Sequence, residues 1–283
     1  MHNPHRGVAQ CTHPGLSGKT NEDRLALAAF HNASGQPVLF IVVSDGIGGH
    51  RAGEVAAELT VQCITDEVTR GSGASPLQIM EYAIHSASQA IAERSASHAD
   101  QAGMGSTCAC AWVEGDRLYT SHVGDSRIYL VREGRIQRLT IDHSWVQEAI
   151  ERGFLTPEQA LEHPNAHVLR RHLGAAVLPK VDTRLRLTDT ESNEESRMNQ
   201  GLQLGRKDIV LLCTDGLTDM VRDDEILRLI TRSHSLRSAA KDLVECANEH
   251  GGRDNITVAL IGAPQATRAV RAVGDLVRRV IRV

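Results

Sequence analysis

Three aspartates of this chain stand at the ends of apolar runs, where a charge is hard to keep. Residues 38–44 (VLFIVVS) lead into Asp45 and Gly46, residues 208–214 (DIVLLCT) lead into Asp215 and Gly216, and Asp254 with Asn255 opens a third run, 256–261. Short apolar runs of this kind read as strands buried on both faces. An aspartate flush against such a strand loses hydration, on the order of several kcal/mol unless something positive meets it. Two of the acids follow their strands and one precedes its own, so antiparallel pairing can bring all three to one rim of a sheet. Like charges repel at that range, and neither strand-Asp-Gly segment contains a Lys or Arg. Divalent cations with oxygen ligands would supply the missing charge. Gly46, Gly48 and Gly49 remove side chains at the turn, so backbone carbonyls can approach whatever Asp45 holds.

Two weaker acidic features accompany these. Asn21-Glu22-Asp23 closes a polar, Gly-rich stretch at 12–23, and Asp125 with Arg127 sits at a bend between two strands. Taken alone, the first is a solvated loop and the second a turn former. Only proximity to the core acids would give either a chemical role.

The elements that must position these residues follow from periodicity. Apolar residues at helical spacing predict helices over 52–69 and Pro76–Ser97, joined by a Gly/Ser linker. From 105 the period shortens, and strands at 107–113, 117–123, 127–132 and 135–139 form an antiparallel meander. Residues 142–176 break that pattern and read as a flap over a cleft, with short helices at 145–152, 156–162 and 167–173. A strand is expected over 180–187, then a mobile polar loop over about 188–203. Helices at 223–233 and 236–250 lie between the Asp215 and Asp254 strand ends, the second stopped by Gly251-Gly252. Helix pairs alternating with runs of strands predict an α+β domain with helices layered on sheet. That domain would occupy 1–263. The tail, 264–283, places Val270, Val273, Leu276, Val277, Val280 and Ile281 on one helical face with arginines largely off it. It would pack on its own domain or dock a partner or an anionic membrane surface.

Composition narrows the function classes. A net charge of −4 and only 3% aromatic residues argue against nucleic-acid binding, which needs basic surface and stacking rings. The 6 cysteines are scattered without a CxxC pair, so they read as reduced core residues of a cytoplasmic protein. No run approaches the ~20 apolar residues of a membrane span.

In chain order, SDGIGGHRAGE, MGSTCACAW, HVGDSRIYLVREGRIQRLTIDHS, CTDGLTD and GRDNITVALI closely resemble the bacterial branch of the metal-dependent serine/threonine protein phosphatases, the 2C type of the PPM family. The resemblance runs from about residue 12 to 262. It implies a four-layer αββα sandwich, two antiparallel sheets flanked by helices, with a metal centre at one end binding two Mn²⁺ or Mg²⁺ ions and a weaker third. Asp45 would bridge both ions, the Gly46 carbonyl would ligate the first, and Asp215 and Asp254 would hold the second. Glu22 and Asp23 would act through metal-bound water, and Asp125 would share the third ion with Asp215. The implied reaction is hydrolysis of phosphoserine and phosphothreonine on a protein substrate, counteracting a Ser/Thr kinase, with water activated by the ions attacking phosphorus in line. No phosphoenzyme is needed, so Cys213 is not the nucleophile.

The chain departs from the family pattern in two places. The Thr-Asp-x-Gly-x-x-Arg element that usually precedes Asn-Glu-Asp is represented by Thr12, His13, Gly15 and Gly18, so the phosphate-docking arginine is missing. Lys19 is the neighbouring candidate for binding phosphate, as a point charge without a bidentate fork, and Arg170 or Arg171 of the flap is another. Ile47 stands where eukaryotic relatives carry a histidine, which leaves His50 and His13 as candidate proton donors. An active phosphatase is the first function these features suggest. The alternative is a phosphatase-fold module that binds a phosphoprotein or kinase partner without turnover.

Overall fold

The computed structural model describes residues 7–48, 52–71, 74–161, 163–262 and 279–282. The run at 38–43 shows how the chain is layered. Val38, Phe40 and Val42 enter one core, while Leu39, Ile41 and Val43 enter another. Alternate side chains of a strand leave opposite faces, so an unbroken apolar run marks a strand covered on both sides.

The chain begins with strands β1 (Gly7–His13), β2 (Arg24–His31), β3 (Pro37–Ser44) and β4 (Gly46–Ile47), then helices α1 (Ala52–Arg70) and α2 (Pro76–Ser97). Strands β5 (Gly105–Ser106), β6 (Cys108–Glu114), β7 (Arg117–Val123), β8 (Arg127–Arg132) and β9 (Arg135–Arg138) follow. Short helices α3 (Trp145–Glu151), α4 (Pro157–Leu161) and α5 (Asn193–Met198) lead to β10 (Leu202–Gln203) and β11 (Ile209–Cys213). The remainder is α6 (Asp215–Thr218), α7 (Asp223–Arg232), α8 (Leu236–Glu249), β12 (Ile256–Gly262) and β13 (Arg279–Arg282).

One sheet has the order β1-β12-β11-β8-β9 and the other β10-β7-β6-β3-β2-β13, with antiparallel pairing throughout. Their facing sides share a core that includes Ile41, Val43, Ala111, Ile128, Leu212 and Ala259. On the second sheet, Met80, Ile84 and Ile91 of α2 join Phe40 and Trp112. Each such fully buried side chain contributes about 1.5–3 kcal/mol. On the first sheet, Ile226, Leu243 and Ala247 of α7 and α8 join Tyr129, Leu211 and Val258. The result is the expected αββα order of four layers. Among the described residues, no helix is long and apolar enough to cross a membrane.

Local structure departs from the sequence periodicity in several places. Residues 7–13, which carry no alternation of apolar residues, form β1 because β12 offers a complete antiparallel edge from Gly262 to Ile256. Residues 167–173 are not helical. Their backbone groups bond outward instead: Arg170 N–H to His143 O, Leu173 N–H to Ser106 O, and Ser106 N–H to Leu173 O. Residues 180–187 make one isolated bridge, Asp182 with His122, rather than a strand. The polar stretch after 188 is ordered, since Ser192 and Glu195 form a capping box for α5. Gln200 then bonds both backbone groups of Thr120, standing in for a strand partner beside β10. In the tail, Arg279–Arg282 pairs as a strand with β2 rather than continuing a helix, and 263–278 lie outside the described residues.

Candidate metal centre

Strand register brings the acids together. Arg24 pairs with Ser44, so Asp23 and Asp45 emerge side by side from the end of β2 and β3. In the other sheet Cys213 pairs with both Arg127 and Val258, which sets Asp125, Asp215 and Asp254 around the corresponding rim. Backbone bonds fix Asp45: its N–H donates to Thr107 Oγ1 at 3.0 Å, while its carbonyl accepts from Thr107 N–H at 2.9 Å and Ser106 Oγ at 2.8 Å. Its carboxylate is left for the cleft. Asn255 holds the N-terminal acidic loop, accepting from Glu22 N–H at 2.7 Å and donating to Pro14 O at 3.0 Å. Thr214 Oγ1 donates to Asp23 Oδ2 at 2.8 Å, joining the two sheets beneath the site.

Glu22, Asp45, Gly46, Asp125, Asp215 and Asp254 line a single cleft of about 440 Å³, together with Lys19. Burial pushes Asp45 well above the usual carboxylate range, with Asp215, Asp23 and Asp125 adding repulsion. Asp125 is raised by burial, then by Asp215 and Asp142, against partial relief from Arg127. Burial raises Asp23 to about 7 despite the Thr214 and Thr257 hydroxyls. Lys19 is the one Lys or Arg among the described lining residues, and its Nζ lies 3.5 Å from Asp254 Oδ2. Asp23 Oδ1 and Asp215 Oδ1 are buried with no hydrogen-bond partner among the described residues. Crowded carboxylates with orphaned oxygens and too little positive charge fit an all-oxygen site for divalent cations.

These shifts have a testable sign. A carboxyl with a raised folded pKa keeps its proton after the unfolded chain, at about 3.9, has released its own. In chelator, wild-type stability relative to Asp23→Asn should therefore fall as pH rises from about 4 to about 7, as read from urea midpoints. A difference that grows with pH would contradict the assignment.

The other residues singled out for phosphate binding or proton donation fall elsewhere. Gly18 does not line the cleft; it turns the chain at φ +77°, backbone that suits glycine and disfavours an arginine. Arg170 Nε contacts Glu148 at 3.2 Å and Arg171 Nη1 donates to Lys180 O at 2.9 Å, so neither lines the cleft. His13 Nδ1 accepts Gly15 N–H. His50 lies outside the described residues.

Periodicity missed the cleft residues His167, Leu169 and His172 of the flap, which read as a helix face. It also missed Asp219, whose Oδ2 lies 3.2 Å from His167 Nδ1. Its spacing of four from Asp215 was the available signal. Behind the site, Arg127 pairs with Asp142 at 2.7 Å. Burial pushes Asp182 up, but bonds from His143 and Arg184 overcome it and hold the carboxyl well below the usual range. His143 also accepts Gly124 N–H at 3.0 Å on Nδ1, bracing the turn that carries Asp125.

Residues 15–260 match the family described as Protein phosphatase 2C. The chain is 34% identical over 245 residues to the serine/threonine phosphatase stp of Listeria monocytogenes serotype 4b, covering 85% of this chain and 89% of that protein. Its fold is similar to that of the S. agalactiae serine/threonine phosphatase, with a TM-score of 0.79 at 31% identity over 92% of this chain and 100% of that one. It is also similar to the PstP catalytic domain solved in complex with 2 manganese ions, with a TM-score of 0.71 at 30% identity, covering 92% and 98% of the two chains. Likeness of this extent, in sequence and in fold, makes the chain a member of the metal-dependent serine/threonine protein phosphatases of the 2C family.

Proposed function

We propose that the chain hydrolyses phosphoserine and phosphothreonine on cytoplasmic phosphoproteins, counteracting a Ser/Thr kinase, in the cleft between its sheets. The reading rests above all on one observation: acids from both sheets meet in that cleft, where Asp215 Oδ1 is buried with no partner among the described residues. Asp45 and the Gly46 carbonyl would hold one Mn²⁺ or Mg²⁺ ion, and Asp45, Asp215 and Asp254 a second. Asp125 with Asp215 would take a third, and Glu22 and Asp23 would act through water. When bound, such ions acidify a water and offset the charge of phosphoryl oxygens.

The chain's own residues do the positioning. Thr214 fixes Asp23, Asn255 fixes the backbone of Glu22, and Ser106 with Thr107 fixes Asp45. Residues 1–263 would be the catalytic unit and 142–176 its flap, whose His167, Leu169 and His172 wall the cleft. His50 is kept as the candidate proton donor to the leaving serine or threonine oxygen. Within the basic tail, 264–283, Arg279–Arg282 pack on the chain's own domain as a strand beside β2, and the rest would dock a partner or anionic surface; truncation at 264 that leaves binding unchanged removes that role.

The deciding experiment is phosphate release from a phosphothreonine peptide and p-nitrophenyl phosphate, expected with Mn²⁺ and absent in chelator. Metal bound without release would refute the reading and leave a binding module. Lys19 offers a finer test. Because its pair with Asp254 is exposed, it contributes about 1 kcal/mol at most. Lys19→Ala should raise KM for the phosphopeptide by up to about fivefold with kcat nearly constant. An unchanged KM removes Lys19 from phosphate binding.

A further inference from the structure

On the outer face of the first sheet, away from the cleft, α7 and the end of α8 bring three unlike donors together. Cys246 and His250 are four residues apart at the C-terminal turn of α8, so they share a side, and Glu225 from the first turn of α7 meets them. One ligand atom from each lies within 4.8 Å of the others. Cys246 Sγ and His250 Nδ1 are 3.6 Å apart. A tetrahedral ion with a metal–sulfur bond of about 2.3 Å and a metal–nitrogen bond of about 2.0–2.1 Å has a sulfur–nitrogen edge of about 3.5 Å. We propose that Glu225, Cys246 and His250 form a second metal site, separate from the catalytic centre, for one borderline transition cation of the Zn²⁺ type, with water as the fourth ligand.

Sulfur, imidazole and one carboxylate suit such an ion better than Mg²⁺, which prefers oxygen throughout. That chemistry distinguishes this site from the acidic cleft. Cys246 is buried beneath an exposed His250, so an ion enters from solvent and the sulfur stays shielded. Burial, then Glu225 and Glu249, push the thiol up to about 11, so the metal-free site keeps its S–H proton. Binding forms the metal–sulfur bond and releases that proton to solvent. The carbonyl end of α8 favours a cation here. Arg228 is the opposing charge, 3.8 Å from Glu225, and its other nitrogen already lies 3.2 Å from Asp224, to which it can turn fully.

The buried trio of His122, His143 and Asp182 offers no comparable opening. His143 Nδ1 accepts Gly124 N–H, so Nε2 carries the proton it donates to Asp182, and Arg184 occupies the same carboxylate.

An ion at the new site would clamp α7 to the end of α8. His250 is followed by Gly251 and Gly252, and Gly252 O accepts Leu16 N–H at 2.6 Å in the turn that reaches Asp254. The clamp would therefore steady the approach to one acid of the cleft.

The test is a Co²⁺ titration of the full chain with Mg²⁺ in excess, read by the near-ultraviolet thiolate-to-cobalt charge-transfer band. The described lining of the cleft has carboxylates and imidazoles but no thiol, so it cannot produce that band. One equivalent of Co²⁺ should develop it, Zn²⁺ should bleach it, and Cys246→Ser should abolish it. Losing an outer-shell partner alone weakens metal sites about 10–100-fold, so His250→Ala should weaken Co²⁺ at least about tenfold. No band in the wild type, a band that survives Cys246→Ser, or unchanged affinity in His250→Ala would each overturn the site. The last variant alters an exposed side chain, so it remains informative if the serine variant folds poorly.

Discussion

Asp215→Asn should reduce kcat on a phosphothreonine peptide by about a thousandfold or more. The substitution keeps the size of the side chain and removes its charge at the junction of β11 and α6, where the proposed ions would share it. Charge stabilisation of several kcal/mol is what a bound metal contributes to a transition state, and each 1.36 kcal/mol is about tenfold in rate. A second readout has the opposite sign. Burial pushes Asp215 up against a hydrogen bond with Asp45, Asp254 adds repulsion, and its Oδ1 is buried without a partner among the described residues. Removing that charge relieves repulsion, so the metal-free variant should melt above the metal-free wild type. Activity within tenfold of wild type, or a metal-free variant that melts well below it, would sink the assignment of Asp215 as a shared ligand.

Gly46→Ala should be the most destabilising small substitution in the cleft. A Cβ at Gly46 would lie 2.1 Å from Gly53 O and 2.8 Å from Glu22 O, so backbone must move rather than a flexible side chain. Gly53 is constrained less tightly, with an added Cβ meeting Gly46 O at 2.7 Å and the movable Glu22 Oε2 at 2.9 Å. The start of α1, the β4 turn and Glu22 therefore meet backbone to backbone. Overpacking of this kind costs about 1–3 kcal/mol, and more where nothing can yield. We expect a loss of at least about 3 kcal/mol in urea denaturation and weaker Mn²⁺ binding, since the Gly46 carbonyl moves with the turn. Wild-type stability with intact Mn²⁺ affinity would show that the close approach is not required.

Much of this protein was legible from residue order. The apolar runs before Asp45 and Asp215 marked doubly covered strands, because only a strand with neighbours on both faces can hide every residue of such a run. The helices over 52–70, 76–97, 223–232 and 236–249 carried their own periodicity. The aspartates at strand ends announced an electrostatic demand that oxygen-seeking ions would meet. The flap and the edges were not legible in this way. Residues 7–13 become a strand only because β12 presents its edge, and 167–173 abandon a helical pattern because Ser106 and His143 offer better partners for their backbone.

What the sequence by itself determined is the chemistry at stake: which side chains carry charge, which runs must be buried, and hence that paired strands would force acids together. Only the tertiary structure decided which acids share a cleft, that Thr214 reaches Asp23 across the sheets, and that Cys246, His250 and Glu225 meet outside it. The physical reason is range. Periodicity and local propensity act over a few neighbouring residues, whereas a site is set by the register between strands far apart in the chain, and that register is settled only when the cores on both faces are packed at once.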